Sequence, residues 1–188
     1  QCKKFYYNYI SNISLEYLIL VKLNMLIIFT GNGKGKTTAA LGQAIRALGQ
    51  GKRVLAIQFI KGNWETGEEK FFKRFKIKGV RFKLIKAGRG FVKILGDKLP
   101  FSEHKKAAQK ALALAKKAIN PPAGGQKWDL IILDEINVAV NLKLIKAAEV
   151  LKILNNFPSE KAVILTGRGA PKSFIKIADL VTEMKEIK

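Results

Sequence analysis

Apolar positions in this chain recur in two rhythms, one of strands and one of helices, and their order along the chain predicts the architecture. Leu26-Ile27-Ile28-Phe29 and Leu130-Ile131-Ile132-Leu133 are unbroken apolar runs, as expected of strands covered on both faces of a parallel sheet. Ala162 to Leu165 reads the same way, and Val54 to Ile60 reads as a further strand that ends in a polar tip, Gln58-Phe59-Ile60-Lys61-Gly62. Val80, Phe82 and Leu84 alternate instead with Arg81 and Lys83, which predicts an edge strand. Between these runs the period lengthens. Thr37 to Leu48 puts Ala40, Leu41, Ala44, Ile45 and Leu48 on one helical face before Gly49-Gln50-Gly51 ends it. Phe101 to Ile119 does so with Ala107, Ala108, Ala111, Leu112, Ala115 and Ile119, and Asn120-Pro121-Pro122 stops it. Shorter helices are expected over Glu68 to Phe75 and near Ile145 to Leu154. Strand and helix alternate without an internal repeat, which argues for one α/β domain with a mainly parallel sheet and helices on both faces.

The chemistry is concentrated where strands end. Met25 to Thr38 reads MLIIFTGNGKGKTT: a buried strand, a glycine-rich turn and the first turn of a helix. Gly31, Gly33 and Gly35 let backbone N–H groups approach an anion where side chains would intervene. Lys36 and Thr37 follow at a helix N-terminus, where unsatisfied N–H groups and the dipole favour phosphate. There Lys36 reaches the outer phosphates and the Thr37 hydroxyl can ligate Mg²⁺. The match to G-x-x-x-x-G-K-[ST] is incomplete, because Thr30 stands at the first glycine and Gly31 is displaced by one. Triphosphate binding is expected, with ordinary hydrolysis in question.

Two further strand ends carry polar groups. The run Trp128 to Leu133 closes on Asp134-Glu135, carboxylates placed to serve a Mg²⁺–nucleotide site. Ala162 to Leu165 closes on Thr166-Gly167-Arg168-Gly169, where Arg168 can touch phosphate or stand in a structural turn. Arg46 lies ten residues beyond Lys36, too far along a straight helix to reach the same phosphate unaided. The segment Ile85 to Pro100 is long for a compact domain and therefore of functional interest. Its Gly88-Arg89-Gly90-Phe91 either exposes Phe91 or packs it on the core.

Charge adds a second hypothesis. The formal charge of +21 exceeds what one nucleotide explains, and a basic chain can bind nucleic acid. Lysines, however, are scattered over helix faces, as at Lys105, Lys106, Lys110, Lys116 and Lys117, with no basic stripe interleaved by aromatics. A solvated lysine-biased surface is the preferred reading. Cys2 is the single cysteine, so no intrachain disulfide or cysteine-based metal cluster is expected. His104, beside Ser102, Glu103 and Lys105, reads as a solvated first-turn residue. No stretch reaches the roughly 20 apolar residues that span a bilayer, so no membrane partner is expected. Residues 1–24 show no clear period, and Leu18-Ile19-Leu20-Val21 is too short for a signal-peptide core. They are expected to be a leader or irregular extension, with Met25 the native start and 25–188 a single domain.

The run TGNGKGKTTAALGQAIRALGQGKRVLAIQFIKG, with GRGF, LDEIN and TGRG downstream, resembles the ATP:corrinoid adenosyltransferases of the cobalamin pathway from Met25 to Lys188. The resemblance implies a RecA-like P-loop fold, a cytoplasmic homodimer and transfer of the 5′-deoxyadenosyl group of ATP to the Co(I) of a reduced corrinoid, with triphosphate released. It implies a reductase to supply Co(I) and Mg²⁺ as the nucleotide's cation. Gly31, Asn32, Gly33, Lys34, Gly35, Lys36 and Thr37 would bind the triphosphate, assisted by Thr38, Arg46 and Arg168. Glu135 would serve Mg²⁺ with Asp134 beside it, and Phe91 would crowd the corrin's lower face. Some relatives carry tryptophan where Lys93 stands here, and many continue into a tail that closes over the site. The residues by themselves leave two alternatives: a P-loop ATPase or small-molecule kinase, and a nucleic-acid-binding P-loop protein.

Overall fold

In the computed structural model, residues 25–74, 79, 81–94, 96–155, 157–158 and 160–188 are described. The expected leader over residues 1–24 therefore lies outside the described residues, as do Cys2, Phe75 and Val80. Six parallel strands form one sheet in the order β3-β2-β4-β5-β1-β6. They are β1 (Met25–Thr30), β2 (Arg53–Gln58), β3 (Arg81–Lys86), β4 (Leu130–Asp134), β5 (Ala162–Thr166) and β6 (Leu180–Glu183). The helices are α1 (Lys36–Gly49), α2 (Gly67–Arg74), α3 (Phe101–Ile119), α4 (Ile136–Asn141), α5 (Ala147–Leu154) and α6 (Lys172–Ile177).

Alternate residues of each central strand point to opposite faces, so the unbroken apolar runs feed two cores. Ile27, Phe29, Val54, Ala56, Leu130, Ile132, Ala162 and Ile164 meet Ala40, Ala44, Ala47 and Leu48 of α1. Leu26, Ile28, Leu55, Ile57, Ile131, Leu133, Val163 and Leu165 meet the alanine face of α3, together with α4, α5 and Phe174 of α6. The α/β architecture with helices on both faces is thus as the periodicity predicts, and β3 is indeed an edge strand.

Several details differ from the sequence reading. The buried stripe of α1 is centred on its alanines, which lets the helix sit close to the sheet. Ile45, expected on that face, points away and is 56% exposed. Lys86 closes β3 through the register Gln58↔Lys86, so the following loop starts at Ala87 rather than Ile85. The short α4, α6 and β6 have no counterpart in the sequence reading. Segments of four to six residues are too brief to show a period.

Candidate active site

Because all six strands run parallel, their carboxyl ends and the turns after them share one edge of the sheet, the usual ligand edge of open α/β folds. The phosphate loop leaves β1 there. Gly31 and Gly35 take left-handed backbone angles (φ 95° and 104°) that a side chain would strain. Lys36, only 7% exposed, folds back so that its Nζ donates to the Gly33 carbonyl at 2.6 Å. Asn32, Lys34, Gly35 and Thr38 are exposed around it. Thr30, in place of the first glycine, accepts the Ala170 N–H on its hydroxyl at 3.0 Å and so ties the loop to the turn after β5.

The chain itself crosses this loop. Beyond β6, Met184 N–H donates to Thr30 O at 2.9 Å, and Gly33 N–H, expected to face phosphate, donates to Met184 O at 2.8 Å. A Cβ on Gly31 would collide with the Met184 backbone, and one on Gly33 would lie 2.9 Å from the Lys185 carbonyl. Two of the loop's glycines are therefore required by the approach of the chain's own C-terminal segment.

Asp134, 1% exposed at the tip of β4, gathers the neighbouring elements. Its Oδ1 accepts from the Thr37 hydroxyl at 2.8 Å and the Thr166 hydroxyl at 2.7 Å. Its Oδ2 accepts from Gln58 Nε2 at 3.1 Å and lies 3.6 Å from Lys61 Nζ. Lys61 donates in turn to Glu68 Oε1 at 2.8 Å. Burial opposes ionisation of Glu68, yet its hydrogen bond to Lys61 and backbone donation hold its pKa at about 2. Burial likewise opposes the charge on Lys61, and Asp134 and Glu68 outweigh it, so that pKa is raised. Gln58, Lys61 and Glu68 were not singled out as site residues from the sequence. The polar tip Gln58-Phe59-Ile60-Lys61-Gly62 was the available signal, and only sheet pairing aims it at Asp134.

Glu135 follows in a left-handed conformation (φ 63°, ψ 22°), strained for a residue with a Cβ. Its N–H donates to the Thr166 hydroxyl at 2.9 Å. Burial first, then the Asp134 charge, pushes the Glu135 carboxyl above its ordinary range, while Lys36, Lys61 and Arg168 pull it down. The turn carrying Arg168 is held by α4: Asn137 donates to Gly167 O at 3.1 Å and Asn141 to Arg168 O at 3.0 Å. Arg168 is exposed. Arg46 is not brought to this cluster; it is exposed on the last turn of α1, about 15 Å along the axis from Lys36.

Thr37, Asp134 and Glu135 offer hard oxygen donors beside a phosphate loop, which fits Mg²⁺. Among the described residues no group of three or more His, Cys, Asp or Glu assembles.

The loop after β3 makes a second region. Val92 enters the core at 7% exposure, whereas Phe91 stays 46% exposed and stacks on Trp64, ring centroids 5.5 Å apart at 22°. Of the two readings for Phe91, exposure is the observed one. His104 corrects the sequence reading: it is 3% exposed, with Asp97 and Lys93 set against the start of α3, and its Nε2 pairs with Asp97 Oδ2 at 2.9 Å. Asp97 also accepts the N–H groups of Lys93 and Leu99 at 2.8 and 3.0 Å, which fixes that loop.

Known proteins align with this arrangement over most of the chain. The family described as ATP:corrinoid adenosyltransferase BtuR/CobO/CobP matches residues 22–188. A corrinoid adenosyltransferase of Escherichia coli K12 is 35% identical over 164 residues, covering 87% of this chain and 78% of the relative. The Salmonella typhimurium enzyme is 35% identical over 169 residues, with the same coverage. That of Pseudomonas aeruginosa is 38% identical over 164 residues, 87% of this chain and 76% of the relative. Among solved structures, a DNA replication initiation factor aligns at a TM-score of 0.42 and 17% identity, over 94% of this chain and 44% of that one. So weak a likeness carries no argument.

Proposed function

The chain belongs to the ATP:corrinoid adenosyltransferase family, and on that premise we propose how its carboxyl edge performs the reaction. Its activity is transfer of the adenosyl group of ATP to a corrinoid in cobalamin metabolism. The observation that supports a role for each residue is the convergence on Asp134 of Thr37 from the phosphate loop, Thr166 from β5 and Gln58 from β2. A polar cluster already assembled needs little rearrangement when charge develops beside it.

In this reading the loop from Gly31 to Thr38 wraps the triphosphate through its other N–H groups, that of Gly33 being taken by Met184 O, and Lys36 exchanges the Gly33 carbonyl for a phosphate oxygen. Mg²⁺, held by Thr37, Asp134 and Glu135, would screen the negative charge of the departing triphosphate. Arg168, whose charge already acts on Glu135, adds to that screening from the β5 turn. Arg46 has no place in the reading, given its distance. The substrate's Co(I) is the nucleophile: its electron pair forms the bond to C5′ while the C5′–O bond breaks, and the pair from that bond leaves on triphosphate. No proton moves, so no base is required, and the main demands are alignment and charge stabilisation. Phe91 keeps water or a base from the cobalt's axial position, which eases reduction to Co(I). The same reading carries a homodimer, a reductase that supplies the electron and a cytoplasmic location. No helix among the described residues is long and apolar enough to cross a membrane.

The leaving group tests this. Mg²⁺-ATP with Co(I) corrinoid should yield inorganic triphosphate and a light-sensitive adenosylcorrinoid in equal amounts, and ATP alone almost nothing. A hydrolase or kinase breaks the β–γ bond instead. Release of ADP at a comparable rate without corrinoid would overturn the proposal.

A further inference from the structure

Trp64 takes no part in the chemistry above, yet the fold builds a seat for it. A Cβ on Gly62 would lie 2.7 Å from the indole Cζ3, and one on Gly90 3.2 and 3.3 Å from Cζ3 and Cη2. Gly90 also holds φ at 112°, which a side chain would strain. The two loops are zipped together beneath the ring. Ala87 and Gly88 N–H donate to Gln58 O at 3.0 and 3.1 Å, and Gly90 N–H to Ile60 O at 2.9 Å. Lys86 Nζ donates to Trp64 O at 3.0 Å. A Cβ on Gly88 would collide with the Ile60 backbone, so that close approach also requires glycine.

The indole thus has its Cζ3–Cη2 edge against the Gly62 and Gly90 backbone and stays 48% exposed. Phe91 lies near-parallel to it, in the offset arrangement that aromatic pairs favour. Folding gains little by leaving two large rings half in water, and a fixed pair of this kind suits a flat ligand. Position narrows the ligand. Trp64 stands three residues beyond Lys61, whose ammonium is 3.6 Å from Asp134. The shelf is built from the loops after β2 and β3, on the same carboxyl edge as Asp134, whose strand β4 pairs with β2, and a second substrate has to reach that edge.

We propose that Trp64 and Phe91 form one aromatic shelf for the corrin macrocycle, with Trp64 in contact with the ring and setting the tilt of Phe91. This rests on the adenosyltransferase reading and extends it to a residue in a different loop. Adenine is the competing flat ligand, and the two are separable by which Michaelis constant moves.

The test compares Trp64→Leu, which keeps apolar bulk without a ring, with Trp64→Phe, using ATP and cob(II)alamin plus reductant or chemically preformed cob(I)alamin. W64L should raise KM for the corrinoid about five- to tenfold and leave KM for ATP unchanged. Its loss should be larger from cob(II)alamin than from cob(I)alamin, and W64F should stay within about twofold of wild type. Gly90→Ala, which displaces the indole without removing it, should show a milder corrinoid defect and carries the test if W64L does not fold. Equal corrinoid KM values for wild type, W64L and G90A, or a defect confined to ATP, would overturn the shelf. Failure of the wild type to form adenosylcorrinoid would overturn the underlying reading instead, and the wild-type control shows which has failed.

Discussion

Around Asp134 and around Phe91 the same sheet edge is built in opposite ways. At Asp134 a buried carboxylate accepts from Thr37, Thr166 and Gln58, and Lys61 and Glu68 form an ion pair beside it. Phe91 and Trp64 instead stack on one another and stay about half exposed, positioned by glycines and backbone hydrogen bonds. On the proposed reading, the contrast matches the two substrates. A triphosphate is small and highly charged, so dipoles fixed in advance serve it best. A corrin is broad and largely apolar, so it needs an accessible surface whose rings are held still. Buried polar networks are also costly when one member is lost, whereas an exposed stack adds little to stability.

The sharpest way to break the comparison is at Lys36. Lys36→Ala should lower kcat/KM at least about a hundredfold, as expected for removing a charge that stabilises the leaving group. Its thermal midpoint should shift little, because the side chain's hydrogen bond to Gly33 O is worth about 1 kcal/mol. Turnover near wild type would remove the phosphate-loop assignment.

Glu68 tests whether the charged half is a stability element as well. Its folded pKa of about 2 lies below the ordinary 4.5. Ionised Glu68 therefore stabilises the fold above about pH 4.5, and that contribution is lost as pH falls through about 2. Glu68→Gln should cost about 2 kcal/mol at pH 7, allowing for partial exposure, and almost nothing near pH 2. Denaturant unfolding at the two pH values measures the difference, and equal costs would detach Glu68 from the network's energetics.

The smallest effect belongs to the open half. Phe91→Ala should slow the reaction from Co(II) corrinoid plus reductant about tenfold and that from preformed Co(I) far less. Its unfolding midpoint should match wild type, since the ring is half-exposed. Equal losses in the two assays would take Phe91 away from the cobalt's axial side.

Much of this was legible in advance because the signals were local. An unbroken apolar strand, three glycines and Lys-Thr lie within fourteen consecutive residues, Met25 to Thr38, and need no distant partner to be read. Periodicity likewise identified α1 and α3 and placed β3 at an edge. What misled was burial decided by distant chain. His104 looked solvated because Asp97, which pairs with it from the preceding loop, leaves no mark on its own helix. Ile45 looked buried because helical spacing does not say which of two neighbouring stripes meets the sheet.

By itself, then, the order of residues determined the alternation of strands and helices, the phosphate loop and the carboxylates at the end of β4. Each depends on contacts within a few residues or on a period that repeats. Only the tertiary structure decided that Gln58, Lys61 and Thr166 meet at Asp134, that Met184 crosses the phosphate loop and that Trp64 stacks on Phe91. Those pairings join positions from 27 residues apart, Trp64 and Phe91, to 151 residues apart, Gly33 and Met184. Parallel strand register and backbone close approach bring them together, and neither leaves a pattern in any single stretch of sequence.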